Sequence, residues 1–224
     1  MAGLNLELVD GGVGAYCARP ANGDARIGLV VIQEIFGVNS HIRSVCDRLA
    51  ESGFLAVAPD MFHRQRPAVE LGYGEQDIAT GFGLKQQLAD EDALCDLQAA
   101  SSWLRSEGVD KVGVVGFCMG GYYTFLSAAR LQPDGAVAYY GGGIGDLLDE
   151  ADSISCPILF HFGNLDAHIP PEVVDAVEKR TASLDARVFR YDADHGFNCD
   201  QRGSYDDSSA QLAWQRTVEF FRNL

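Results

Sequence analysis

A chain of 224 residues that is 47% hydrophobic has apolar side chains enough for a sizeable core, and its formal net charge of −15 is wrong for tracking a phosphate backbone. The same acidity opposes capture by anionic membranes, and no apolar run approaches the ~20 residues of a membrane-spanning helix. Neither nucleic-acid nor membrane partners are therefore expected. An N-terminus without a basic region or an apolar signal stretch points to a cytoplasmic protein.

Taken in chain order, Leu4–Val9 and Ala15–Ala18 are expected to form an antiparallel hairpin around Asp10-Gly11-Gly12. Ile27–Gln33 is a continuous apolar run, as in a strand covered on both faces. Ser40 reads as the N-cap of a helix through about Glu51, stopped at Gly53. Leu55–Ala58 is a further buried strand, ended by Pro59-Asp60, and residues 62–83 read mostly as loop. Leucines at 84, 88, 94, 97 and 104 predict one long amphipathic helix over Leu84–Ser106.

Val112–Val115, Ala136–Tyr140, Ile158–Phe162 and Arg187–Tyr191 are strands, with helices over Pro171–Ser183 and Ser208–Phe221. Repeated strand–helix alternation predicts one α/β domain over 1–224, its mostly parallel central sheet covered by helices on both faces. In such sheets ligands bind beyond the carboxyl ends of the strands. The chemistry-bearing residues fall there: Glu34 to Gly37, Asp60, Cys118, Gly141 to Gly143, Asn164 to Asp166, and Asp192 to His195.

The strand at 112–115 runs into Gly116-Phe117-Cys118-Met119-Gly120-Gly121 and then a helix-compatible segment. That is the nucleophile elbow Gly-x-Ser-x-Gly with cysteine for serine, a sharp turn whose flanking positions tolerate no Cβ. A cysteine nucleophile needs a base, and the base needs a group to fix its tautomer. Elbow enzymes place nucleophile, acid and histidine in that chain order, which Cys118, Asp166 and His195 follow. Asp192 and Asp194 are the rival acids. The expected oxyanion hole takes backbone N–H groups from Met119 and from Ile35 in the early strand–helix loop. Glu34, directly after a buried strand, is costly to place unless paired, solvated or functional.

The remaining cysteines (Cys17, Cys46, Cys95, Cys156 and Cys199) show no C-x-x-C pair and no zinc-ligand spacing, so neither a metal site nor any other cofactor is expected. Gly141-Gly142-Gly143-Ile144-Gly145 lacks the Gly-Lys-Ser/Thr ending of a phosphate loop and is expected to shape the substrate side.

Gln33-Glu34-Ile35-Phe36-Gly37, Ala58-Pro59-Asp60, the cysteine elbow, Gly163-Asn164-Leu165-Asp166 and His195-Gly196-Phe197 together resemble the dienelactone hydrolase family of the α/β-hydrolases, over nearly the whole chain. The resemblance implies a carboxylic ester hydrolase with Cys118, Asp166 and His195 as triad. It also implies that Glu34 helps turn the resting thiol into thiolate. The implied substrate is a small ester or lactone, in the type reaction a dienelactone opened to maleylacetate. Family members grip the substrate carboxylate with two arginines, one of them four residues beyond the histidine. Here that position is Cys199, the nearest arginine is Arg202, and residues 72–84 contain none. Phe36, Tyr139 and Arg202 are the expected substrate-binding residues. A monomer or weak homodimer is expected. The alternatives are a carboxylesterase for neutral esters and a non-catalytic binding protein of the same fold.

Overall fold

The structure is a computed structural model that describes residues 3–8, 12–21 and 23–224. The chain divides into two compact units, Met1–Gly113 and Val114–Leu224.

In the first unit the strands β1 (Leu4–Leu8), β2 (Val13–Ala18), β3 (Ile27–Ile32) and β4 (Leu55–Pro59) lie in the order β1-β2-β4-β3. β1 pairs antiparallel with β2, β2 antiparallel with β4, and β3 parallel with β4. The expected hairpin is present, although Val9 of its first strand and Asp10 and Gly11 of its turn lie outside the described residues. Leu29 to Ile32 are wholly buried, as their unbroken apolar run requires. Helix α1 (Ser40–Glu51) packs on β2, β3 and β4. Its N-cap is Asn39 rather than Ser40, because the Asn39 side chain accepts from the Ile42 N–H at 3.3 Å.

Two corrections concern the next stretch. Helix α2 (Glu75–Lys85) begins inside the segment expected as loop and runs just past its end, and the long helix begins only at Asp90, as α3 (Asp90–Ser106). Leu84 and Leu88 thus belong to the end of α2 and the link after it. Three acids in the first turn of α3, Asp90, Glu91 and Asp92, suit the positive end of its dipole.

β5 (Lys111–Phe117) carries the chain into the second unit, whose strands run β5-β6-β7-β8, with β6 (Gly135–Tyr139), β7 (Ile158–Gly163) and β8 (Ala186–Tyr191). β6 pairs parallel with β7 and β7 with β8. Helix α4 (Met119–Arg130) packs on β6, and α5 (Pro171–Thr181) packs on β8 and on a 3-10 helix at Ile144–Ser153. Helix α6 (Asp207–Arg222) buries Ala213, Thr217 and Phe221. No helix among the described residues is long and apolar enough to cross a membrane.

Candidate active site

β5 ends at Phe117 and α4 begins at Met119, so Cys118 alone makes the turn, at φ 55° and ψ −114°. For a non-glycine residue this is a strained conformation costing roughly 1–3 kcal/mol, sustained only where the surroundings over-determine it. They do so here. Cys118 N–H donates to the Tyr139 carbonyl at 3.0 Å, and the Cys118 carbonyl accepts from Gly121 N–H at 2.9 Å. A Cβ on Gly116 would drive into the Gly120 carbonyl, and one on Gly121 would lie 2.5 Å from that of Tyr139. Both glycines are therefore demanded by close backbone approach. The thiol is partly exposed, and Met119 N–H stands at the positive end of α4.

Asp166 follows β7 and His195 follows β8, so two parallel neighbours deliver both residues to the edge where β5 delivers Cys118. Asp166 is buried. Its Oδ2 accepts from His195 Nδ1 at 2.7 Å and its Oδ1 from the His168 N–H at 2.8 Å. Burial pushes this carboxyl up, yet the His195 hydrogen bond and charge and the His168 N–H together hold it below its ordinary value. Burial likewise pushes the His195 imidazole down. The Cys118 charge and hydrogen bonds to Asp166 and Cys118 overcome that and raise it to about 10. Both partners thus favour the protonated imidazole. The rival acids serve the loops instead. Asp194 accepts from His195 N–H at 2.6 Å, and Asp192 accepts from Asn164 at 2.9 Å.

Two rings press on the His195 ring, Tyr140 at 5.1 Å and His168 at 5.3 Å between centroids. Tyr140 has a positive φ of 34°, an outlier for an aromatic residue. Tyr139, expected to line the substrate pocket, is instead fully buried, its hydroxyl 2.6 Å from Thr217 Oγ1. Cys199 is fully buried as well. The guanidinium of half-buried Arg202 lies against Gly196, so a Cβ there would collide with it.

Glu34, Ile35 and Phe36 belong to the first unit, just beyond β3, and all three are buried. Gln33 braces this segment, its Nε2 donating to the Glu34 carbonyl at 3.3 Å and its Oε1 accepting from Met61 N–H at 3.2 Å. Gly81 of α2 approaches the Ile35 carbonyl so closely that a Cβ would collide with it. Phe36 packs edge-on to Tyr73, with centroids 4.6 Å apart.

Residues 13–224 match the model of the dienelactone hydrolase family. A protein of Synechocystis sp., provisionally named carboxymethylenebutenolidase, is 35% identical over 94% of this chain and 91% of its own length. An Escherichia coli K12 protein of the same provisional name is 39% identical over 93% of this chain and 81% of its own. Among solved structures, a provisionally named dienelactone hydrolase from Klebsiella pneumoniae is 36% identical, with a TM-score of 0.88 over 99% of this chain and 98% of that one. A dienelactone hydrolase-like promiscuous phosphotriesterase from metagenomic libraries is 25% identical, with a TM-score of 0.83 over the same shares.

Proposed function

The chain belongs to the dienelactone hydrolase family, and from that premise we propose that it is a carboxylic ester hydrolase opening a small ester or lactone through a thioester on Cys118. The observation that carries this reading is the His195 ring, bonded through Nδ1 to Asp166 at 2.7 Å and raised by the hydrogen bond and charge of Cys118.

In the proposed cycle the Cys118 thiolate attacks the acyl carbon, and the Met119 N–H steadies the oxyanion that forms. The C–O bond breaks as His195 gives its Nε2 proton to the departing oxygen, leaving a thioester and a neutral imidazole. His195 then removes a proton from water as the oxygen adds to the thioester carbon. The C–S bond breaks, thiolate and imidazolium are restored, and the acid product releases its proton to solvent. Throughout, Asp166 keeps Nδ1 protonated and Nε2 directed at the reacting groups. An enolate or aryloxide leaves readily, which suits a thiolate nucleophile better than an amide's amine would.

Dienelactone, opened to maleylacetate, is the family's implied substrate. Neutral esters are the second reading, favoured by buried Cys199 where a carboxylate-gripping arginine is expected. A hydrolysis panel of cis- and trans-dienelactone against neutral aryl and alkyl esters separates the two. Cys118→Ala is expected to abolish turnover of every substrate. Quenched wild-type reactions should carry the acyl mass on the peptide containing Cys118. Full activity in the Ala variant would end the proposal.

A further inference from the structure

The second unit holds a cavity unconnected with the triad. Side chains on a strand alternate between faces, so Arg187, Phe189 and Tyr191 of β8 share one. The register sets Leu159 of β7 beside Arg187 and His161 beside Phe189. Helix α6 covers this face. Thr217 accepts from Tyr139 at 2.6 Å and from His161 Nε2 at 3.2 Å, and Arg216 donates to the Tyr191 hydroxyl at 3.0 Å. Near the starts of β7 and β8 a cavity of about 370 Å³ is left, walled by Leu159, Arg187, Phe189, Arg216 and Phe220. Its strand residues begin β7 and β8, whereas Asp166 and His195 follow their far ends.

The two arginines are the informative feature. With 32 acidic residues against 17 basic ones, this chain has carboxylates to spare. Arg180 pairs with Asp152, and Arg190 with both Asp175 and Glu178. Among the described residues Arg187 and Arg216 form no ion pair. Arg216 is half-buried, its guanidinium carbon 4.0 Å from the Phe189 ring centre, and one donor goes to Tyr191. A guanidinium has five donors in a rigid fork, so a stacked, oriented one with donors to spare suits a carboxylate. Asp185 and Glu219 also rim the cavity, but both are exposed. They weaken the long-range field, so recognition must rest on direct, bidentate contact.

We propose that this cavity binds a small aryl or alkyl carboxylate, its anion on Arg216 and Arg187 and its apolar body against Phe189, Phe220 and Leu159. The claim is independent of the reaction proposed above. Benzoate is the probe, titrated into the full chain and followed by nitrogen-edited NMR. Saturable shifts are expected at Arg216 Nε–H and at the Phe189 and Phe220 amides. Affinity should fall about tenfold or more in Arg216→Gln, the scale of losing a charge-assisted bidentate contact. Arg187 is exposed, so Arg187→Gln keeps the fold and should weaken binding severalfold. Benzyl alcohol, of similar shape without the charge, should bind about tenfold more weakly. Shifts absent at about 10 mM benzoate, shifts confined to Cys118 and His195, or equal affinity in wild type and both variants would overturn the assignment.

Discussion

His161 and His195 are both buried in the second unit, and they end in opposite protonation states. His161 is pushed down to about 3, first by burial and then by the Arg216 charge. His195 is raised to about 10 although burial acts on it in the same direction. The difference lies in the partners. Thr217 donates to the Ala213 carbonyl at 2.9 Å, so its oxygen accepts from His161 Nε2, while Tyr191 serves His161 Nδ1 at 2.8 Å. A neutral imidazole satisfies that network completely, and a charged one would face hydroxyls and a guanidinium. His195 meets Asp166 and Cys118, whose charges and hydrogen bonds favour its protonated form. Burial opposes the charged form of both rings, and the partners decide which form prevails.

The sharpest way to break the contrast is to remove an anion from His195. Asp166→Asn should lower kcat/KM by about 10³–10⁴-fold and bring the imidazole down from its raised value, read by steady-state kinetics and imidazole NMR. Next in size is a backbone effect at the elbow. Gly121→Ala forces a Cβ to 2.5 Å from the Tyr139 carbonyl and should cost about 2–4 kcal/mol in denaturant unfolding. On the neutral side, Thr217→Val strips the acceptor shared by Tyr139 and His161. A loss of about 1–3 kcal/mol is expected, with kcat/KM changed less than about twofold.

The smallest effect is a slope. His161 has a folded value near 3 against 6.5 in the unfolded chain, so between those limits the unfolded state binds the extra proton. Stability therefore rises with pH across that window, and acidification removes it. From pH 6.5 to 5.5 this group alone should cost about 1 kcal/mol, a contribution missing from His161→Phe when the two pH–stability curves are compared.

The placement of Cys118, Asp166 and His195 at one sheet edge was legible because each follows the end of a strand. Asp166 could be chosen over Asp192 and Asp194 only as an argument about loops, and the geometry assigns those two to Asn164 and to the His195 backbone. Helix α2 was hidden because it buries only Gly81 and Leu84 and leaves Phe82 exposed, so it has no apolar stripe to read. Tyr139 and Tyr140 look alike in sequence. They part because β6 ends at Tyr139 and the positive φ of Tyr140 turns the chain, so Tyr139 meets Thr217 and Tyr140 meets His195. Neither the cavity under α6 nor the unpaired state of its arginines leaves any trace in residue spacing, since both depend on register between β7, β8 and α6.

The central claim is that Cys118 and Asp166 hold His195 as a cation, and imidazole NMR across pH tests it most directly. The expected result is a His195 titration near 10 in the wild type and a lower one in Cys118→Ala, where only the Asp166 bond and charge remain. A titration near 6.5 in both proteins would contradict the account.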